Sequence, residues 1–203
     1  MLPATGWLAT LIVLLVVLAG YSSAGTKPTG EHVSTGSLRS FRWLKPSTIP
    51  MDWVRAPLPD GSGVLAYPPQ FHRISGDPGT VSVAILGGGE HGPVYRAYLN
   101  ATPRQGDERL HGWPAFRMGH LLGDDAVAVH KDAGVENAAF GDDRRSCVID
   151  HYLTRVGGHS YREIACLVEG RTGASVVVAA APLAAWTPVQ RVLEQAVSDY
   201  QVG

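Results

Sequence analysis

Residues 146–169, SCVIDHYLTRVGGHSYREIACLVE, constrain this chain more than any other stretch. They hold both of its cysteines and two runs of strand-forming residues around a glycine turn. If Cys147 faces Cys166 across an antiparallel pair, Ile149 falls opposite Ile164 and Tyr152 opposite Tyr161, with RVGG at the turn. Apolar partners then meet on one face and an aromatic pair on the other, a self-consistent register. Opposed Cα atoms at a non-hydrogen-bonded site are close enough for a disulfide. Closing a loop of this length stabilises a fold by about 3 kcal/mol in the chain-entropy account. A staple of this kind belongs to an oxidising compartment. The alternative is a working thiol. His151 lies on the same strand face as Cys147, but four residues of strand separate them by roughly 13 Å. That excludes a direct Cys–His pair on this strand, and no motif marks a histidine elsewhere.

The same register sets Asp150 opposite Glu163. Two carboxylates in that position repel unless they are solvated, protonated or bridged by a cation. As a site they would share a calcium ion or act as an acid/base pair. As an ordinary surface they would sit on a wet face beside Arg155 and Arg162.

The N-terminus bears on compartment. Residues 6–20, GWLATLIVLLVVLAG, carry no charge. The run is short against the roughly 20 residues of a full span and has the character of a signal-peptide core. Ser22-Ser23-Ala24 supplies small residues for cleavage, so 1–24 reads as a signal peptide or an N-terminal membrane anchor. LAGY has the form of a lipobox in which Tyr21 replaces the cysteine that would carry lipid. Lys27, Arg39 and Arg42 follow the apolar run and no basic residue precedes it, which by the positive-inside rule favours the opposite orientation. Long domains cross regardless of such charges, and an extracytoplasmic body, anchored or secreted, is the reading adopted.

Residues 25–50 are rich in Ser, Thr, Gly and Pro and read as a flexible linker, with Phe41–Leu44 the part that touches the domain. The domain proper is 51–203. With 17 basic against 18 acidic residues the net charge is −1, which excludes an electrostatic footprint for nucleic acid. From Met51 short apolar runs alternate with turns. MDWVRAPL and GVLAYPP flank PDGSG as a hairpin, and FHRI, TVSVAIL and PVYRAYLN follow as strands. Leu110, Trp113, Phe116, His120 and Leu121 fall at helical steps, so 103–121 is expected to be a helix restarted at Pro114. AVAVH is a further strand, 131–145 reads as a polar loop, and ASVVVAAAP as a buried strand. Thr187-Pro188-Val189-Gln190 has the form of a capping box. Val189, Leu193, Ala196, Val197 and Tyr200 then line one face of a C-terminal helix.

No motif names a reaction. GGGEHG (87–92) matches G-x-G-x-x-G in letters, but Pro93 and an alternating strand follow where a phosphate-binding helix would have to begin. His111 and His120 are not spaced to share one helix face as a metal pair, and no C-x-x-C appears, so neither metal nor cofactor is expected. Asn100-Ala101-Thr102 has the form of a glycosylation acceptor, but Asn100 and Thr102 read better as caps of a helix starting at Pro103. Ser160 beside His159 is a turn. Trp113, Tyr95 and Tyr98 are candidates for a binding surface or, for each singly, for the core.

The stretches LAYPPQFHRISGDPGTVSVAIL, YRAYLNATPRQGDERLHGWPAFR and the cysteine hairpin resemble a group of actinobacterial exported proteins of unknown function. The resemblance covers about residues 51–200 and implies a leader, a tether and one domain. The order of hairpin, strand, helix, strands and C-terminal helix is also similar to the PsbP-like α/β sandwich, with Phe71 where such proteins usually carry Trp. That likeness implies a binding or assembly factor, although fold alone does not set function. The expectation is an α+β domain, a twisted antiparallel sheet of six to eight strands with packed helices, including a long C-terminal one. Its expected role is that of a non-catalytic envelope protein binding a protein partner or small ligand, with the membrane met only through an uncleaved N-terminal segment. The alternatives are a cell-envelope hydrolase working through Asp150 and Glu163, and a purely structural module.

Overall fold

The computed structural model describes residues 39–89 and 92–203. The leader, the first part of the linker, and Glu90 and His91 lie outside the described residues. No helix among the described residues is long and apolar enough to cross a membrane.

Strand-forming runs dominate. Ten strands are described: β1 (Val54–Pro57), β2 (Gly63–Tyr67), β3 (His72–Arg73), β4 (Val81–Gly89), β5 (Gly92–Pro103), β6 (Ala126–Phe140), β7 (Asp143–Thr154), β8 (Ser160–Glu169), β9 (Ala174–Pro182) and β10 (Gln201–Val202). Helix α1 (Trp113–Asp124) lies between β5 and β6, and helix α2 (Trp186–Ser198) follows β9. Seven strands form one sheet in the order β3-β4-β5-β9-β8-β7-β6, and β1-β2-β10 form a smaller one. Every described pairing is antiparallel. The class is therefore α+β, with seven strands in the main sheet as expected.

The β7–β8 hairpin has the register read from its side chains. Cys147 pairs with Cys166, Ile149 with Ile164, Asp150 with Glu163 and Tyr152 with Tyr161. Gly157 and Gly158 take φ of 79° and 61° at its turn, a region that L side chains avoid. The cysteines stand at disulfide distance, their Cα atoms 4.1 Å apart, and both are fully buried.

Alternation along each strand divides the sheet into two unlike faces. Cys147, Ile149, Ile164, Cys166, Val168, Val177 and Ala179 join the main core cluster with Leu65, Leu193, Ala196, Val197 and Tyr200. Helix α2 and the smaller sheet thus cover this face. Arg145, 1% exposed, ties the far end of α2 down. Its guanidinium donates to the carbonyl oxygens of Val197 (2.8 Å), Ser198 (3.3 Å) and Tyr200 (2.7 Å). The first two are acceptors that the helix leaves unpaired at its C-terminus, where a cation is favourable, and Tyr200 lies just beyond it. Burial pulls the Arg145 pKa down to about 10, so it still carries its charge at neutral pH.

Four local expectations are corrected. The 131–145 loop is in fact most of β6, an edge strand. Bulges between Lys131 and Ala133 and between Val135 and Ala138 break the period-two pattern that would have revealed it. The 103–121 helix begins only at Trp113, and β5 runs on through Pro103. Asn100 is a strand residue whose amide donates to Ser82 Oγ (2.8 Å), not a cap. Helix α2 opens at Trp186 with no side-chain cap, so the Thr187 box does not form. The end of the linker packs as well: Phe41 belongs to the core, with Trp43 and Leu44 against it. The Ser198 hydroxyl meets the backbone of Lys45 through its amide (3.2 Å) and its carbonyl (2.6 Å).

Candidate functional site: a tyrosine-lined groove

The second face of the main sheet is covered only in part. Helix α1 crosses it near β6 and β7, and the remainder is an open groove of about 790 Å3 between the helix and β5, β7, β8 and β9. Its position follows from how α1 is held. Gly112 takes φ 78° ahead of the helix, and Pro114 occupies the first turn, where its missing N–H costs nothing. That placement explains why the helix cannot start earlier: in the interior Pro114 would break it. Trp113, 1% exposed, fills a satellite cluster with Val148, Ala165, Leu167, Val176 and Val178. Its indole N–H donates to the Ala165 carbonyl (3.1 Å). Glu136 of β6 accepts from the Gly112 amide (2.8 Å), placing a carboxylate at the positive end of the helix.

One turn further, Arg117 reaches the floor. Its Nε and Nη2 donate to the two oxygens of Glu163 at 2.7 and 2.9 Å, a bidentate ion pair. Burial opposes the Arg117 charge, but the Glu163 carboxylate outweighs it and the guanidinium pKa stays above its ordinary value. Asp150, directly across from Glu163, is fully buried, and neither of its oxygens has a hydrogen-bond partner among the described residues. Burial and then the adjacent Glu163 carboxylate push its pKa up to about 8, so it is mostly a neutral acid at pH 7.

This arrangement answers the question of the acidic pair. Asp150 and Glu163 do meet, but on a buried floor rather than a wet one, and neither flanking arginine is their partner. Arg162 points to the opposite face, where it pairs with Asp132 (3.0 Å) and lies over the Trp186 ring. Arg155 donates to the carbonyls of Leu122 and Ala126 (3.0 and 3.1 Å). With Glu163 1% exposed and clamped by Arg117, the pair presents no free carboxylate to a glycosidic or ester bond. Among the described residues no group of three or more His, Cys, Asp or Glu side chains is placed to hold a metal ion.

Four tyrosines line the groove. Tyr152 and Tyr161 stack across strands, centroids 5.8 Å apart at 14°. Tyr95 and Tyr98 meet at 6.3 Å and 48°. They are three residues apart on β5, and strict alternation would send them to opposite faces. A register shift solves this: Ile85 pairs with Ala97 and Leu86 with Tyr95, so Arg96 is the extra residue. Tyr98, Tyr152 and Tyr161 all have raised pKa values, chiefly from burial, and act as neutral phenols. Along α1, Phe116 stacks between Trp113 (5.8 Å) and His120 (6.4 Å) and extends the aromatic wall. Of the three aromatic candidates read from sequence, Tyr95 and Tyr98 are at the groove surface. Trp113 touches it but is an anchor of the helix. Tyr152, Tyr161, Phe116 and Arg117 had no signal of their own as site residues.

The sequence matches no protein-family model and no curated protein sequence. Solved structures of low sequence identity are similar to this chain in part. The solution structure of cyanobacterial PsbP from Synechocystis is 11% identical, covers 78% of this chain and 98% of its own, and has a TM-score of 0.49. A crystal structure of a Pseudomonas aeruginosa protein of unknown function is 12% identical over 72% of this chain and 94% of that one, with a TM-score of 0.44. LpqN of Mycobacterium tuberculosis, described as involved in cell envelope biogenesis, is 15% identical over 75% and 76%, with a TM-score of 0.34.

Proposed function

We propose that this chain is a non-catalytic, extracytoplasmic binding protein whose working surface is the tyrosine groove. The observation that carries the proposal is a preformed concavity of about 790 Å3 with aromatic walls, in which the ionised floor groups Arg117 and Glu163 satisfy each other. Small-molecule sites typically run from about 300 to 1,000 Å3 and are lined by aromatic and apolar side chains with a few oriented polar groups. The apolar residues Val94, Val156 and Leu183, each at least 47% exposed, stand near its tyrosine end, as a surface that is covered in use would require. A fully buried cysteine pair at disulfide distance and the uncharged 6–20 segment support a location outside the membrane. The 51–203 domain, with its strap from Phe41, would then be carried there on the leader, either anchored or released.

The test is fragment screening of the full chain by NMR. Binders should shift the resonances of Tyr95, Tyr98, Tyr152, Tyr161 and the exposed side of α1 together. Binders that map only to the β6 edge or to the smaller sheet would refute the groove as the working surface.

A further inference from the structure

The charges around the groove narrow what it can hold. Two guanidinium groups line it, and both are already engaged: Arg117 by Glu163, and Arg155 by two backbone carbonyls. The Arg117 side chain is only 17% exposed. Against these stand the carboxylates of Asp77, Glu108, Asp124 and Asp125 on the walls, besides Glu163 on the floor. Asp124 meets the His120 ring (3.3 Å), and Glu108 accepts from the Gln105 amide (2.7 Å). An anionic ligand would therefore meet like charge and, among the described residues, find neither lining guanidinium free to pair with it.

The aromatic walls have the same preference. The face of a phenol ring carries negative electrostatic potential and attracts a cation within about 6 Å of its centroid. Tyr95 and Tyr98, tilted by 48° with centroids 6.3 Å apart, form a corner rather than a closed stack. Tyr161 stands close enough to Tyr95 to share both the groove and the shallower hollow beside it. Ring faces and wall carboxylates together complement a bulky, weakly hydrated positive charge. We infer that the groove takes an organic cation, a quaternary ammonium or comparably alkylated amine. This rests on the groove reading above and deepens it. The group has two plausible carriers, a free solute and a lipid headgroup, with the same recognition chemistry.

The probe is choline, compared with 3,3-dimethyl-1-butanol, which has the same shape with carbon in place of the charged nitrogen. Both are titrated into the full chain in maltoside micelles, with affinity read by calorimetry and location by tyrosine NMR shifts. Choline should bind at least tenfold more tightly. Tyr95→Phe and Tyr98→Phe should keep that affinity within about threefold, because the ring face is retained. Tyr95→Leu and Tyr98→Leu should each lose about tenfold or more while unfolding as the Phe variants do. Vesicles of phosphatidylcholine, but not phosphatidylglycerol, competing with choline would assign the headgroup as the carrier. Choline binding untouched by either vesicle would assign the free solute, and either result upholds the inference. Equal binding of dimethylbutanol overturns the cation but leaves the groove in place, as does a neutral fragment that moves the tyrosines when choline does not. Tyrosines unmoved by any compound would remove both readings.

Discussion

The two faces of the seven-stranded sheet are built from the same strands and serve opposite ends. On one, Cys147, Ile149, Ile164 and Cys166 lie in a sealed core under α2, with Arg145 holding the helix end. On the other, their immediate neighbours Val148, Asp150, Tyr152, Glu163 and Ala165 face a short helix and an open groove. A period of two residues separates the sealed face from the open one. On the sealed face the buried Arg145 guanidinium meets three carbonyls. The groove face holds a buried carboxyl, Asp150, with no hydrogen-bond partner among the described residues.

The largest effect should come from Asp150. Its carboxyl titrates near 8 in the folded chain and near 3.8 unfolded, so above pH 4 the folded protein binds more protons than the unfolded chain. Stability contributed by this group is greatest at low pH and is lost as pH rises through that window. Asp150→Asn removes the loss. The variant should gain on the wild type progressively as pH rises from 4, flattening near 8. Urea unfolding curves at pH 5, 6, 7 and 8 measure the gap; a constant difference across that range would mean that the acid is ionised or solvated.

Next comes a direct contrast of the faces. Leu193→Ala, at a fully buried position of α2, should cost about 3 kcal/mol. Leu122→Ala on α1, 45% exposed, should change stability by no more than about 0.5 kcal/mol. Similar losses from the two would show that the groove face is as tightly packed as its opposite.

A similar or slightly smaller loss is expected at the cysteines, which are 19 residues apart in sequence. Replacing both with alanine should cost up to about 3 kcal/mol in the chain-entropy account. Because both sulfurs are buried, alkylation has to be carried out in denaturant, with and without reductant. Native chain that takes up two alkyl groups only after reduction is bridged. Two free thiols in freshly isolated protein would remove the staple and with it the main support for an oxidising compartment.

What was legible in the sequence was what short-range geometry controls. The β7–β8 register, the buried β9 run and the face of α2 can each be read because partners lie within one hairpin or a few turns. Strand β6 was not legible, since its bulges shift the alternation and its edge position leaves polar side chains on it. The groove was harder still. The sequence paired Asp150 with Glu163, but nothing local marked Arg117, which comes from a helix 46 residues away and clamps Glu163.

Residue order by itself determined an antiparallel α+β domain, a cysteine hairpin with one workable register, and a charge balance unsuited to nucleic acid. These follow from period, turn chemistry and composition, which act between neighbours. Tertiary structure alone decided that one face is sealed and the other open, that Tyr95 turns to join Tyr98, and that Arg117 clamps Glu163 while Asp150 has no hydrogen-bond partner among the described residues. Those outcomes depend on where a helix docks and where a strand bulges, and both are set by contacts between segments far apart in the chain.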